Sequence, residues 1–258
     1  MSDGDVHYER KGPVAHVVFD RPEARNAMTW HMYERLAAVC AAIRADAAVK
    51  VAVFRGAGGK SFIAGTDIAQ FLAFSSGEDG VAYEDKMEGY IGGLEALEVP
   101  TIAVVEGWAI GGGLAIAAAC DFRIATPGTR FGVPIARTLG NCLSVANVAR
   151  LVAALGAPRT KRVLLMAENL SAEEALAGGF ISDIVAPAAL DAKVAEMCER
   201  LASHAPVTIR VSKEAVRRVV LAGLGDDKDL IRAAYGSEDF AEGVKAFTDK
   251  RPAQWRGK

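Results

Sequence analysis

The chain has 258 residues, 51% of them apolar and 24% charged, with a net charge of −2. That composition supports one large core and excludes a basic nucleic-acid-binding surface as the dominant property. The most apolar stretch, 102–120, carries Glu106 and four glycines, so it reads as buried strand, turn and helix and not as a membrane span.

In chain order, Ala15, Val17 and Phe19 alternate with Val14, His16 and Val18, which predicts a strand broken by Asp20-Arg21-Pro22. Met32, Leu36, Val39 and Ile43 recur at helical spacing and predict a helix over about 30–45. The apolar run 49–54 reads as a buried strand and 56–59 as a glycine loop. A helix is predicted over 81–97, stopping before Val99-Pro100 because a residue preceding proline disfavours helical backbone. Then come a strand at 101–105, a glycine-rich turn at 107–113, a helix at 114–119 and a strand at 121–125. This alternation argues for an α/β core with parallel strands. Beyond 145 the segments 145–155, 159–166, 172–177, 188–202, 206–221 and 227–235 carry helical periodicity, and only 180–185 reads as a strand.

The four cysteines, Cys40, Cys120, Cys142 and Cys198, form no C-x-x-C pair and lie in apolar contexts. Buried free thiols and a reducing cytoplasm are expected. The N-terminus lacks the basic start and apolar run of a signal peptide. The four histidines show no metal-ligand spacing, so no metal is expected, and no G-x-S-x-G elbow is present. Gly59-Lys60-Ser61 resembles the end of a phosphate-binding loop, but Phe54 stands where that motif requires its first glycine. The turn at 107–113 does not fit G-x-G-x-x-G. Its physical reading survives: glycines opening a helix let another group approach the backbone, where free N–H groups favour negative charge.

Taken together, the motifs resemble the enoyl-CoA hydratase/isomerase (crotonase) family. Arg21-Pro22-Glu23-Ala24-Arg25-Asn26-Ala27-Met28 is similar to R-P-x-x-x-N-A-[LM], and Phe62-Ile63-Ala64-Gly65-Thr66-Asp67-Ile68 to F-x-A-G-x-D-[IL]. Gly107 to Gly113 is similar to G-x-A-x-G-G-G, followed by Cys120 to Ala125 and Phe131-Gly132-Val133-Pro134. Phe247 to Trp255 resembles F-x-x-K-R-x-P with one residue fewer before the proline. The resemblance implies a crotonase-like α/β fold: a spiral β/α core over 1–195 and a helical C-terminal trimerisation region over 196–258. It implies an acyl-CoA partner, with the coenzyme A thioester as substrate and no further cofactor, and a homotrimer or hexamer. The N–H groups of Thr66 and Gly112 would form an oxyanion hole. Ala64 C=O, Arg25, Phe247 and Lys250 would touch coenzyme A.

One departure bears on mechanism. The family's two glutamates would fall at Ala115 and Ile135, which can neither give nor take a proton. Hydration or isomerisation by those carboxylates is therefore not expected, and a non-standard group must act. Glu88 is the first candidate, twelve residues before Pro100, where related aryl-CoA dehalogenases carry a catalytic histidine. Glu84 shares its helix face. Asn141 lies near the site of an extra catalytic aspartate in relatives, although Asn141 or Ser144 could equally cap the next helix. Asp67 reads as the cap of a helix starting at Ile68. The expected function is an acyl-CoA enzyme that stabilises a thioester enolate. The alternatives are a non-catalytic acyl-CoA-binding subunit, or a CoA-thioester decarboxylase or hydrolase on the same fold.

Overall fold

The structure is a computed structural model describing residues 3–257. In chain order it contains β1 (Asp5–Lys11), β2 (Val14–Asp20), α1 (Trp30–Ala45), β3 (Val51–Gly56), a 3₁₀ segment (Ile68–Ala73), α2 (Gly77–Glu95), β4 (Thr101–Val105), β5 (Trp108–Ile110), α3 (Gly112–Ala119), β6 (Phe122–Ala125), β7 (Arg130–Gly132), α4 (Ile135–Thr138), α5 (Val145–Leu155), α6 (Ala157–Leu165), β8 (Asn169–Ser171), α7 (Ala172–Ala177), β9 (Asp183–Ile184), α8 (Leu190–Ala202), α9 (Pro206–Leu221), α10 (Lys228–Tyr235) and α11 (Glu238–Thr248).

The main sheet has the order β1-β2-β3-β4-β6-β9. Only β1 and β2 run antiparallel; the other pairs are parallel, as the β/α alternation predicts. A smaller sheet, β5-β7-β8, stands beside it. One face of the main sheet packs Ala52, Phe54, Ala103 and Val105 against α1, α2 and α3. The other packs Val51, Val53, Ile102 and Val104 against Leu190, Val194 and Cys198 of α8. A strand buried on both faces reads as a continuous apolar run, as β3 and β4 do. The expected boundary at 195/196 falls inside α8, whose buried residues belong to this second layer. Cys40, Cys120 and Cys198 are buried free thiols as expected, whereas Cys142 is half-buried. No described helix is long and apolar enough to cross a membrane.

Several elements depart from the sequence reading: the short strands β5, β7 and β8 and the helix α4 are not predicted, and β8 adds a strand beyond 145, where only 180–185 reads as one. β1 was not expected, because its polar run DVHYERK buries Val6 alone. α2 begins at Gly77, four residues before the predicted start. Ser76 and Asp79 form a capping box there, with Ser76 N–H donating to Asp79 at 2.9 Å. A Cβ on Gly80 would lie 2.2 Å from the Tyr235 ring, so this glycine admits α10 rather than ending a helix. α11 was also missed. With α10 it folds back over the same chain: α10 packs on α2 and α11 on the 3₁₀ segment. Their Ile231, Tyr235, Phe240 and Val244 close an aromatic cluster with Phe71, Val81 and Leu139. Phe74 and Tyr83 pack on its edge.

Candidate active site

Two short turns are brought together by main-chain pairing. Ile63 N–H donates to Trp108 C=O at 3.1 Å, and Ile110 N–H donates to Ile63 C=O at 3.0 Å. The turns Ala64–Thr66 and Gly111–Gly112 therefore leave the same edge side by side, and a Cβ on Gly111 would come within 3.7 Å of Gly65 Cα. Neighbouring amides are used: Met28 N–H donates to Gly65 C=O at 2.8 Å, Asp67 N–H to Met28 C=O at 2.9 Å, and Gly111 N–H to Gly132 C=O at 2.8 Å. By contrast, neither Thr66 N–H nor Gly112 N–H has an acceptor among the described residues. Gly112 opens α3, where the first amides lack an intrahelical partner and the helix dipole favours negative charge.

The turn after β3 is fixed from the other side by the buried Asn26. Its Nδ2 donates to Ala57 C=O at 3.0 Å and Ser61 C=O at 2.8 Å, while its Oδ1 accepts from Arg21 N–H at 2.9 Å. Asp67 accepts from Ala69 N–H at 3.2 Å as the expected cap, and also from Arg21 Nη1 at 2.8 Å. Arg25 C=O accepts from Ala64 N–H at 3.1 Å, so these two expected contact residues are neighbours. Ala64 C=O takes no donor among the described residues, and the Arg25 side chain is exposed. Phe247 is 52% exposed near the end of α11, and Lys250 adopts left-handed backbone just beyond it.

Three hydroxyls meet at Thr66. Tyr33 Oη lies 2.8 Å from Thr66 Oγ1, which lies 3.3 Å from Tyr83 Oη. Tyr33 is fully buried, and burial pushes its phenol up to about 12. Tyr33 was not singled out from sequence. The signal was available: it lies three residues before Leu36 on the buried stripe of α1.

The two candidate glutamates of α2 separate. Glu88 has both oxygens occupied by the buried Arg150, at 2.6 Å from Nη1 and 2.6 Å from Nη2. Arg150 also reaches Glu95 at 3.0 Å and Asn147 Oδ1 at 3.1 Å. Glu84 is only 3% exposed because it falls on the apolar stripe of Val81, Met87, Ile91 and Leu94. It accepts from Tyr235 Oη at 2.6 Å and from Ser144 N–H at 3.2 Å. Asn141 Nδ2 donates to Tyr235 Oη at 3.2 Å, so Asn141 stands in this cluster, while its buried Oδ1 has no partner among the described residues. The helix cap is Ser144, which accepts from Asn147 N–H at 3.3 Å. Burial raises the Glu84 carboxyl to about 7, against the pull of Tyr235 and the Ser144 amide.

That shift has a thermodynamic consequence. A carboxyl that is more basic folded than unfolded makes the native state bind more protons between about pH 4.5 and 7, so its contribution to stability declines as pH rises through that window. The rise from 4.5 to about 7 corresponds to about 3 kcal/mol. Glu84→Gln is expected to flatten this part of the pH–stability curve, measured by urea unfolding across the window. An unchanged slope would sink the assignment.

Ala115 and Ile135, at the positions where the resemblance places glutamates, carry no substitute group. Ala115 is buried in the main core, and Ile135 packs at the edge of the aromatic cluster.

Comparison with known proteins agrees with this architecture. The enoyl-CoA hydratase/isomerase family model matches residues 9–258. The chain is 33% identical to short-chain-enoyl-CoA hydratase of Clostridium acetobutylicum over 97% of each protein. It is 34% identical to (E)-benzylidenesuccinyl-CoA hydratase of Thauera aromatica over 98% of this chain and 99% of that one. Among solved structures, methylmalonyl-CoA decarboxylase complexed with 2S-carboxypropyl-CoA matches with a TM-score of 0.89 at 26% identity, covering 100% of both chains. The fold is thus crotonase-like α/β, and the chain belongs to the enoyl-CoA hydratase/isomerase family.

Proposed function

We propose that this protein is an acyl-CoA enzyme that holds a thioester oxygen between the N–H groups of Thr66 and Gly112 and stabilises the enolate formed there. The observation that carries this reading is the pair of unpartnered amides on two abutting turns. When a thioester enolises, charge moves onto its oxygen, and fixed donors bind that charge more strongly than the neutral carbonyl. Ala64 C=O and Arg25 on one side, and Phe247 and Lys250 on the other, would hold the coenzyme. The relatives are named for enoyl-CoA hydration and one structural neighbour for decarboxylation of methylmalonyl-CoA, reactions that share such an intermediate. A homotrimer or hexamer follows from the same resemblance.

For proton transfer, Glu84 is favoured over Glu88. Its carboxyl is buried and poised near neutrality, whereas both Glu88 oxygens accept from Arg150. Asn141 would act through Tyr235, holding that hydroxyl against Glu84. The test is turnover of a panel of enoyl-CoA and malonyl-type CoA thioesters. Conversion of at least one is expected, with Glu84→Gln slower by about tenfold or more. Binding without turnover across the whole panel would instead support the acyl-CoA-binding subunit.

A further inference from the structure

We propose that the Tyr33 hydroxyl is a third donor to the thioester oxygen, acting beside the N–H groups of Thr66 and Gly112. The proposal rests on the oxyanion reading of those two amides and deepens it.

Three observations converge on one small volume. Tyr33 Oη lies 2.6 Å from the point a Cβ on Gly112 would occupy, and Thr66 Oγ1 lies 3.3 Å from that same point. The absent side chain of Gly112 therefore lets the Tyr33 and Thr66 hydroxyls close directly on the residue that carries the second free amide. The Tyr33 ring cannot swing away: it is fully buried, stacked on Tyr90 at 5.7 Å and flanked by Trp30 at 6.4 Å. Finally, the hydroxyls form a chain, Tyr83 to Thr66 at 3.3 Å and Thr66 to Tyr33 at 2.8 Å.

Each hydroxyl has a single hydrogen to give. If Tyr83 donates to Thr66 and Thr66 to Tyr33, the Tyr33 hydrogen points out of the chain, toward an oxygen bound at Gly112. Without substrate, that hydrogen turns back to Thr66 Oγ1. Three hydrogens then share two contacts, so one hydroxyl hydrogen of the chain has no acceptor within it, and a bound oxygen supplies that acceptor. Donation along the chain polarises each successive bond, which strengthens the last one when charge develops on the substrate. Burial holds the phenol protonated, hence a donor, across the neutral range. The group gives a hydrogen bond and no proton, so the step leaves every bond and electron in place. It supplies to the enolate oxygen stabilisation that the two amides otherwise provide alone.

Tyr33→Phe keeps the ring and its stacking and removes only the hydroxyl. The readouts are deuterium uptake at the α-carbon of butyryl-CoA in D₂O, followed by mass spectrometry, and affinity for the same thioester, by calorimetry. Exchange is expected to fall about tenfold or more with affinity changed by less than about threefold, because the donor acts on developing charge. Thr66→Val, which breaks the chain but keeps the amide, is expected to slow exchange by about threefold or more. Should Tyr33→Phe fail to fold, undiminished exchange in Thr66→Val overturns the proposal. Equal exchange by wild type and Tyr33→Phe also overturns it and leaves the two-amide site standing. A parallel fall in exchange and affinity assigns Tyr33 to positioning alone and overturns it as well. Absence of exchange by the wild type removes the enolate reading, and the Tyr33 proposal with it.

Discussion

Gly112→Ala is expected to lower turnover about 10²–10³-fold while the protein stays folded, the range seen when an oxyanion donor is lost. The added methyl would sit 2.6 Å from Tyr33 Oη and 3.3 Å from Thr66 Oγ1, pushing these hydroxyls out of their places beside the two amides. Gly112 lies in ordinary helical backbone, so alanine brings no backbone strain, and the atom it would meet is a side-chain hydroxyl and not main chain, although the packed Tyr33 ring must shift to admit it. The next residue makes the contrast. A Cβ on Gly113 would stand 2.2 Å from Ile63 C=O, a main-chain atom that ties the two turns together. Gly113→Ala should therefore lose stability as well as activity. Steady-state kinetics paired with thermal melts separates the two cases. Gly112→Ala with turnover within about threefold of wild type would remove this amide from the site.

Arg150→Met is expected to destabilise the fold by about 3–5 kcal/mol, the usual result of stripping the cation from a buried ion pair. The guanidinium is almost wholly inside, and it joins Glu88 and Glu95 of α2 to α5. Methionine fills much of the volume but leaves Glu95, at 14% exposure, without its guanidinium partner. Combining Arg150→Met with Glu95→Gln should recover part of the loss, because one uncompensated charge is then gone. Denaturant unfolding of the single and double variants measures both effects. A loss below about 1 kcal/mol would place this cluster with ordinary surface pairs.

The parts of this molecule legible in its sequence are those where a local pattern has one physical reading. Residues 51–54 of β3 and 102–105 of β4 are apolar because both faces of the sheet are covered, and the glycines at 107–113 announce a close backbone approach. What was hidden depends on residues far apart. The start of α2 is masked by Gly77 and Gly80, present because the main chain of Arg232 and the ring of Tyr235 press against them. Glu84 looked like part of a charged helix face. Its partner Tyr235 is 151 residues away, and no local rule pairs them. The spacing to Val81, Met87 and Ile91 did carry the hint that Glu84 points inward. Glu88 was the more visible candidate because it could be counted from Pro100, but position along the chain says nothing of Arg150 waiting opposite it. The oxyanion turns were legible for the opposite reason: backbone donors need only glycines and a helix start.

The return of α10 and α11 over their own chain bears on how the site behaves on dilution. Glu84, Asn141, Tyr83 and Tyr235 meet within a single polypeptide, so their encounter is governed by an effective concentration set by the intervening chain and not by how much protein is present. The aromatic wall is therefore an intramolecular closure. Whatever assembly these chains adopt, each copy carries its own complete set of these groups.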